Sequence, residues 1–204
     1  MQILLIDDNE KLCKLYQQLL IRGGHETRIL TDSAKALDTI RESPPDLILL
    51  DIMMEPVSGW EVLEQIRSSE EFSELPVIIL TGKVLTAQEA LQYGLKIEGF
   101  VMKPLERTML LAAVDEAKDL IDESDACYSR ALLSGLSPEK AIACKRAVKT
   151  KKILLFLRDT LTKQETLLKK EAEQNDEILH SLDDLRTMIT QEFQKITLIT
   201  ENCP

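Results

Sequence analysis

The sequence predicts a parallel α/β domain followed by an all-helical region. Three observations lead there. Up to about residue 121, short apolar runs alternate with amphipathic stretches; beyond it the runs stop; and from Pro138 to Pro204 no proline or glycine interrupts the chain. Alternation of this kind implies a parallel sheet with helices on both faces, because right-handed crossovers lay each helix over the sheet. The 204 residues leave room for two small domains. A composition of 44% hydrophobic and 29% charged residues, with 7 Gly and 7 Pro, excludes collagen-like, low-complexity and largely disordered classes.

The expected strands are residues 2–6, 26–30, 46–50, 77–80 and 99–102, each rich in Ile, Leu or Val and read as buried on both faces. Between them, helical periodicity covers about 10–22, 33–42, 59–70 and 86–93, and resumes from 105, with Gly23 and Gly94 as stops. In the tail, Gly135 ends a helix, and Ser137, Pro138 and Glu139 start the next with a capping hydroxyl, a first-turn proline and an acid near the positive dipole end. Leu154, Leu157, Leu161 and Leu168, then Ile178, Leu182, Leu185, Ile189, Phe193 and Ile196, form the stripe of a helical bundle or coiled coil, with a turn expected at 171–176. The expected division is a first domain at 1–121 and a helical output or dimerisation region at 122–204.

Charge separates the two parts. Residues 1–121 hold 12 basic and 21 acidic side chains, and residues 122–204 hold 13 and 14. The acidic first part argues against nonspecific nucleic-acid binding there and permits a divalent cation. MQILLIDDNE is neither a signal peptide nor an anchor, and no apolar run is long enough to span a bilayer, so no membrane partner and a cytoplasmic location are expected. Cys13, Cys127, Cys144 and Cys203 lack paired spacing and are expected to be reduced.

Asp7 and Asp8 follow the first expected strand, Asp51 the third, Thr81 the fourth and Lys103 the fifth, all on the carboxyl edge of the sheet. In a flavodoxin-like doubly wound sheet of order 2-1-3-4-5, the first and third strands are neighbours at the switch point where such sheets bind ligands. The three acids then converge. Oxygen-only ligands that repel one another favour a hard cation such as Mg2+. A carboxylate beside a metal, an ammonium and a hydroxyl has the makings of a phosphoacceptor. Singly, each residue has an ordinary explanation as a cap or strand end; five on one edge do not.

ILLIDDN, LILLDIMM with Gly59 eight residues after Asp51, IILTG and GFVMKP, in that order and at those intervals, make residues 1 to about 121 resemble the receiver domains of two-component response regulators. The resemblance implies that Asp51 is the phosphorylated aspartate and that Asp7, Asp8, Asp51 and the Met53 backbone carbonyl bind Mg2+. It also implies that Thr81 is the switch hydroxyl, Lys103 the phosphoryl-contacting lysine, Gly82 the small residue admitting the donor and Phe100 the rotating aromatic. A sensor histidine kinase is the implied partner. Pro104 matches the family's proline after the lysine, often cis. The chain departs from the family at Glu55 and Pro56, where proline is usual four residues after the acceptor, so the loop over the site is expected to differ in shape.

Three readings of the tail follow. The first is a helical protein-interaction module, forming a homodimer or binding a helical partner. The second is a DNA-binding helix-turn-helix at about 128–149, with Ala131, Gly135 and Ser137 at the motif's spacing and Lys145, Arg146, Lys149, Lys151 and Lys152 towards phosphates. The third is a phosphotransfer module using His180 in ILHSLDDLRTM. No output-enzyme motif is present, so the only chemistry expected is self-phosphorylation from a phosphodonor and self-dephosphorylation.

Overall fold

A computed structural model describes residues 1–82, 89, 92–170, 176–201 and 203, without the side chains of 95, 156, 157, 159–170, 176–182 and 185. Most of the helix expected at 86–93, residues 171–175 of the turn expected at 171–176, and the side chain of His180 lie outside the described residues.

Five parallel strands, β1 (Gln2–Ile6), β2 (Glu26–Leu30), β3 (Leu47–Asp51), β4 (Val77–Thr81) and β5 (Gly99–Met102), form one sheet of order β2-β1-β3-β4-β5. This is the doubly wound, flavodoxin-like order that the sequence predicts. β3 begins one residue later than expected, because Asp46 instead takes the Gln2 backbone N–H on its carboxylate at 2.7 Å. Side chains of a strand alternate between faces. Ile3, Leu5, Leu47, Leu49, Ile78, Leu80 and Val101 meet Cys13, Tyr16 and Leu20 of α1 (Glu10–Arg22) and Leu110, Val114 and Ala117 of α4 (Arg107–Leu133) in one core layer. Leu4, Ile6, Ile48, Leu50 and Ile79 therefore face the opposite side. They are fully buried, as are Ile40 of α2 (Ala36–Glu42) and Val62, Leu63 and Ile66 of α3 (Gly59–Ser68).

Local signals explain where the helices start. Asn9 caps α1 by accepting from the Leu12 N–H at 3.2 Å. Asp32 caps a short 3-10 turn at Ser33–Lys35, so α2 proper starts at Ala36, later than periodicity alone predicts. Ser58 and Glu61 form a reciprocal capping box at the head of α3.

The residues group into two compact units, one with bounds Met1–Val84 and Lys96–Ala117, the other containing Lys118–Pro204. Residue 121 lies inside α4, which runs on without a break. In the second unit α4 ends at Gly135, whose φ of 87° suits glycine. The Leu136 N–H reaches the Ala131 carbonyl at 3.1 Å and the Gly135 N–H that of Leu132 at 3.0 Å, the pattern of a Schellman stop. Ser137 then accepts from the Lys140 N–H at 3.4 Å and starts α5 (Pro138–Lys170); α6 (Asp176–Thr200) follows.

One expectation is overturned here. Cys144 and Cys203 are joined in a disulfide, with Cα atoms 5.8 Å apart across 59 residues of chain; Cys13 and Cys127 are free and buried. Spacing along the chain does not reveal the bridge, because the fold back from α5 to α6 brings its ends together. Among the described residues, no helix is long and apolar enough to cross a membrane.

Candidate functional site

The carboxyl ends of β1, β3, β4 and β5 bring the candidate residues to one place. Asp7 follows directly on β1 and is fully buried; its Oδ1 accepts the Asn9 N–H at 2.8 Å. Asp51 closes β3 at 5% exposure, with Oδ1 accepting the Met53 N–H at 3.2 Å. Asp8 is exposed, and its Oδ2 accepts the Glu55 N–H at 3.4 Å. One ligand oxygen from each of Asp7, Asp8 and Asp51 lies within 4.8 Å of the other two. A hard, oxygen-seeking divalent cation such as Mg2+ fits this donor set.

Lys103 lies just past β5 and spans the buried pair, with its Nζ 2.5 Å from Asp7 Oδ2 and 2.9 Å from Asp51 Oδ2. Burial alone would lower its pKa, but the Asp7 and Asp51 carboxylates outweigh that, and the ammonium stands above the usual lysine value. Its backbone N–H donates to the Thr81 carbonyl at 2.7 Å, tying the lysine to the end of β4. Lys103→Ala is expected to leave a folded protein about 2 kcal/mol less stable, below the usual cost of about 3 to 5 kcal/mol for breaking a buried pair, because the cluster reaches solvent at exposed Asp8 and water can enter beside the two carboxylates. Added Mg2+ should restore more stability to this variant than to the native chain, as urea melts with and without the ion would show.

The remaining candidates are distributed as follows. Thr81 is fully buried at the end of β4, in register with Met102. Gly82 is exposed, and among the described residues a side chain there would meet nothing within 4 Å. Met53 is exposed beside Asp51. Phe100 is half-buried and pairs with Ile79, two residue pairs back from the edge. His180 lies within α6, away from the sheet edge in sequence. The peptide bonds before Pro56 and Pro104 are both cis.

Two features escape a reading of the sequence. Cys13 of α1 donates its thiol to the Asp7 carbonyl at 3.2 Å; burial, reinforced by the Asp7 carboxylate, pushes that thiol up to about 12. It is a packing group with no thiolate to offer. Gly59, at the head of α3, lies against the acceptor strand: a Cβ there would be 2.0 Å from the Asp51 carbonyl oxygen and 2.7 Å from Ile52 Cα. Its position in the motif is visible in the sequence; the contact that requires glycine is not.

Residues 3–115 match the family described as the response regulator receiver domain. The polar-differentiation response regulator DivK of Brucella ovis is 36% identical over 104 residues, covering 50% of this chain and 84% of that protein. Among solved structures, a response regulator receiver domain protein from Clostridium thermocellum is 26% identical with a TM-score of 0.52, covering 58% of this chain and 94% of its own. The chemotaxis protein CheY4 of Vibrio cholerae, 23% identical with a TM-score of 0.52 over 57% of this chain and 97% of its own, is alike in fold. The family match stops at residue 115, short of most of the helical unit.

Proposed function

Because the chain belongs to the response regulator receiver family, we propose that it accepts a phosphoryl group on Asp51 from the phosphohistidine of a sensor histidine kinase, or from a small phosphodonor. The observation that carries this reading is the Lys103 ammonium between two buried carboxylates, with a third carboxylate at the rim. In the transfer an Asp51 carboxylate oxygen attacks phosphorus, the bond from phosphorus to the donor nitrogen breaks, and the imidazole takes up a proton as it leaves. Lys103 then exchanges part of its contact with Asp51 for the incoming phosphoryl oxygens, while Asp7 keeps it in place. Asp7, Asp8, Asp51 and the Met53 carbonyl would hold Mg2+, whose chemical contribution is to neutralise charge on those oxygens. Thr81 and Phe100 would respond to the new charge at the strand ends, and Glu55 sets a carboxylate at the rim.

Mass spectrometry after acetyl phosphate and Mg2+ treatment tests this reading. The native chain is expected to gain one hydroxylamine-labile phosphate and Asp51→Asn none; a variant still modified would end the proposal. Trp60, next to Gly59, gives a second readout: its fluorescence should change with added Mg2+, and Asp8→Asn should require at least tenfold more ion.

For the helical unit we propose an interaction role, as a homodimer or with a helical partner, and no output enzyme. Lys145 pairs with Asp125 and Lys152 with Glu123, while Lys151 donates to Thr200 at 3.2 Å and lies over the Phe193 ring. Basic groups engaged this way within the unit are poor phosphate readers, which favours protein over DNA. Helix α5, at 33 residues and roughly 50 Å, also exceeds what a groove-reading helix needs. Light scattering on the whole chain, with and without acetyl phosphate, is expected to show association without DNA; tight sequence-selective duplex binding lost in Lys145→Ala would reverse the choice. We place the protein in the cytoplasm, where a kinase supplied with ATP would meet it.

A further inference from the structure

We propose that Cys144 and Cys203 form a reversible redox site that clamps the end of α6 onto α5, its reaction partners being small thiols and disulfides of the glutathione class. The geometry points to this pair. Cys144 lies in the second turn of α5 and is buried with Cys127, Ala131 and Ala141; Cys203 lies beyond α6 and packs against that same cluster. At the last turn of α6 the Lys151 ammonium donates to the Thr200 hydroxyl at 3.2 Å and the Cys203 backbone N–H to the Thr200 carbonyl at 3.2 Å, while Leu198 and Ile199 are exposed. The disulfide adds a covalent tie at that end to one hydrogen bond from Lys151. In a compartment kept reducing by glutathione, a bridge of this kind forms and opens with conditions and does not persist as a permanent staple.

The chemistry balances without a metal. The half-buried Cys203 thiolate attacks one sulfur of a small disulfide, the S–S bond breaks, and one small thiolate leaves. Cys144, its proton given to solvent, attacks the Cys203 sulfur of the mixed disulfide, closing the bridge and expelling the second small thiolate. The protein pair loses two electrons and two protons; the small disulfide gains both as two thiols. Buried Cys127, in the same cluster, is positioned as a packing neighbour and stays reduced. Opening the bridge releases Cys203 from Cys144 and leaves the end of α6 without its covalent tie, so the state of the helical unit follows the thiol balance independently of Asp51.

The whole chain, equilibrated in buffers of graded reduced and oxidised glutathione and then alkylated, tests the proposal by peptide mass spectrometry. The expected result is a Cys144–Cys203 linked peptide whose fraction runs from near zero to near complete across that series. Thermal melts of the oxidised protein should lie about 10 °C above those of the reduced protein, because the bridge closes a long loop. Cys203→Ser should abolish the redox dependence of the melt and leave acetyl phosphate labelling of Asp51 unchanged. Quantitative alkylation of both cysteines in the most oxidising buffer would overturn the proposal. So would a bridge that stays closed in the most reducing buffer, which would make it a fixed staple. Labelling of Asp51 is measured on the same samples, so a failure of the phosphoacceptor reading is seen separately.

Discussion

Gly59→Ala is expected to destabilise the receiver unit by about 2 to 3 kcal/mol and to slow phosphoryl uptake at least tenfold, although alanine is the better helix former. Two effects oppose one another. Intrinsic propensity favours alanine inside a helix by about 1 kcal/mol, and less at a helix head. Against this stands a Cβ placed 2.0 Å from the Asp51 carbonyl oxygen, 2.7 Å from Ile52 Cα and 2.8 Å from the Asp51 carbonyl carbon. Every one of those atoms is backbone, so no side chain can swing aside. Either α3 lifts, breaking the 3.2 Å bond from the Gly59 N–H to the Ile52 carbonyl, or the end of β3 moves. Overpacking of a tight core costs about 1 to 3 kcal/mol, so the clash wins. The functional loss follows from the same displacement, since reacting groups misplaced by about 1 Å lose on the order of a hundredfold in rate. Urea melts and the initial rate of acetyl phosphate labelling, taken on one sample, would show both; an unchanged melt would mean that α3 has room the structure does not give it.

Arg67→Leu is expected to cost about 3 to 4 kcal/mol, the largest single loss of stability among these variants, while leaving the carboxylate site chemically intact. Arg67, in the last turn of α3, gives its guanidinium to the Lys96 carbonyl at 2.8 and 2.5 Å and to the Leu75 carbonyl at 2.7 Å. It also lies 3.6 Å from the Glu98 carboxylate, which accepts the Val77 N–H at the start of β4. Burial lowers the Arg67 pKa, with Glu98 and Glu74 pulling it back, so the charge is costly to hold there and matters for what it satisfies. Removing one partner of a buried pair strands the other charge and typically costs about 3 to 5 kcal/mol, whereas replacing both is far cheaper. The double variant Arg67→Leu with Glu98→Gln should therefore recover part of the loss. If it is less stable than the sum of the single changes, Glu98 is not the stranded group and the carbonyls of Leu75 and Lys96 carry the effect.

The sequence by itself determined the order of elements and the edge on which chemistry gathers. Strands buried on both faces, such as LILLD and VIILT, need continuous apolar runs, and those runs read in one dimension. Because the strands run parallel, every residue just past a strand is carried to the same edge, and the flavodoxin-like order sets the first strand beside the third, so the meeting of Asp7, Asp8, Asp51 and Lys103 was legible from four positions. Capping residues such as Ser137 and Gly135 were legible for the same reason, since each acts on backbone groups within a few residues. The later start of α2 was not, because the Asp32 side chain diverts the chain into a 3-10 turn that apolar periodicity does not register. Only the tertiary structure decided which distant residues touch. Arg67 and Glu98 are 31 residues apart and Cys144 and Cys203 are 59 apart, and nothing in either local pattern singles out its partner. The Gly59 contact with Asp51 is of the same kind: eight residues apart in the motif, yet set by a helix head lying on a strand end at van der Waals distance. Periodicity specifies which face of an element is buried, but ion pairs, bridges and close approaches depend on separations of a few ångströms between packed elements, and those exist only once the chain has folded.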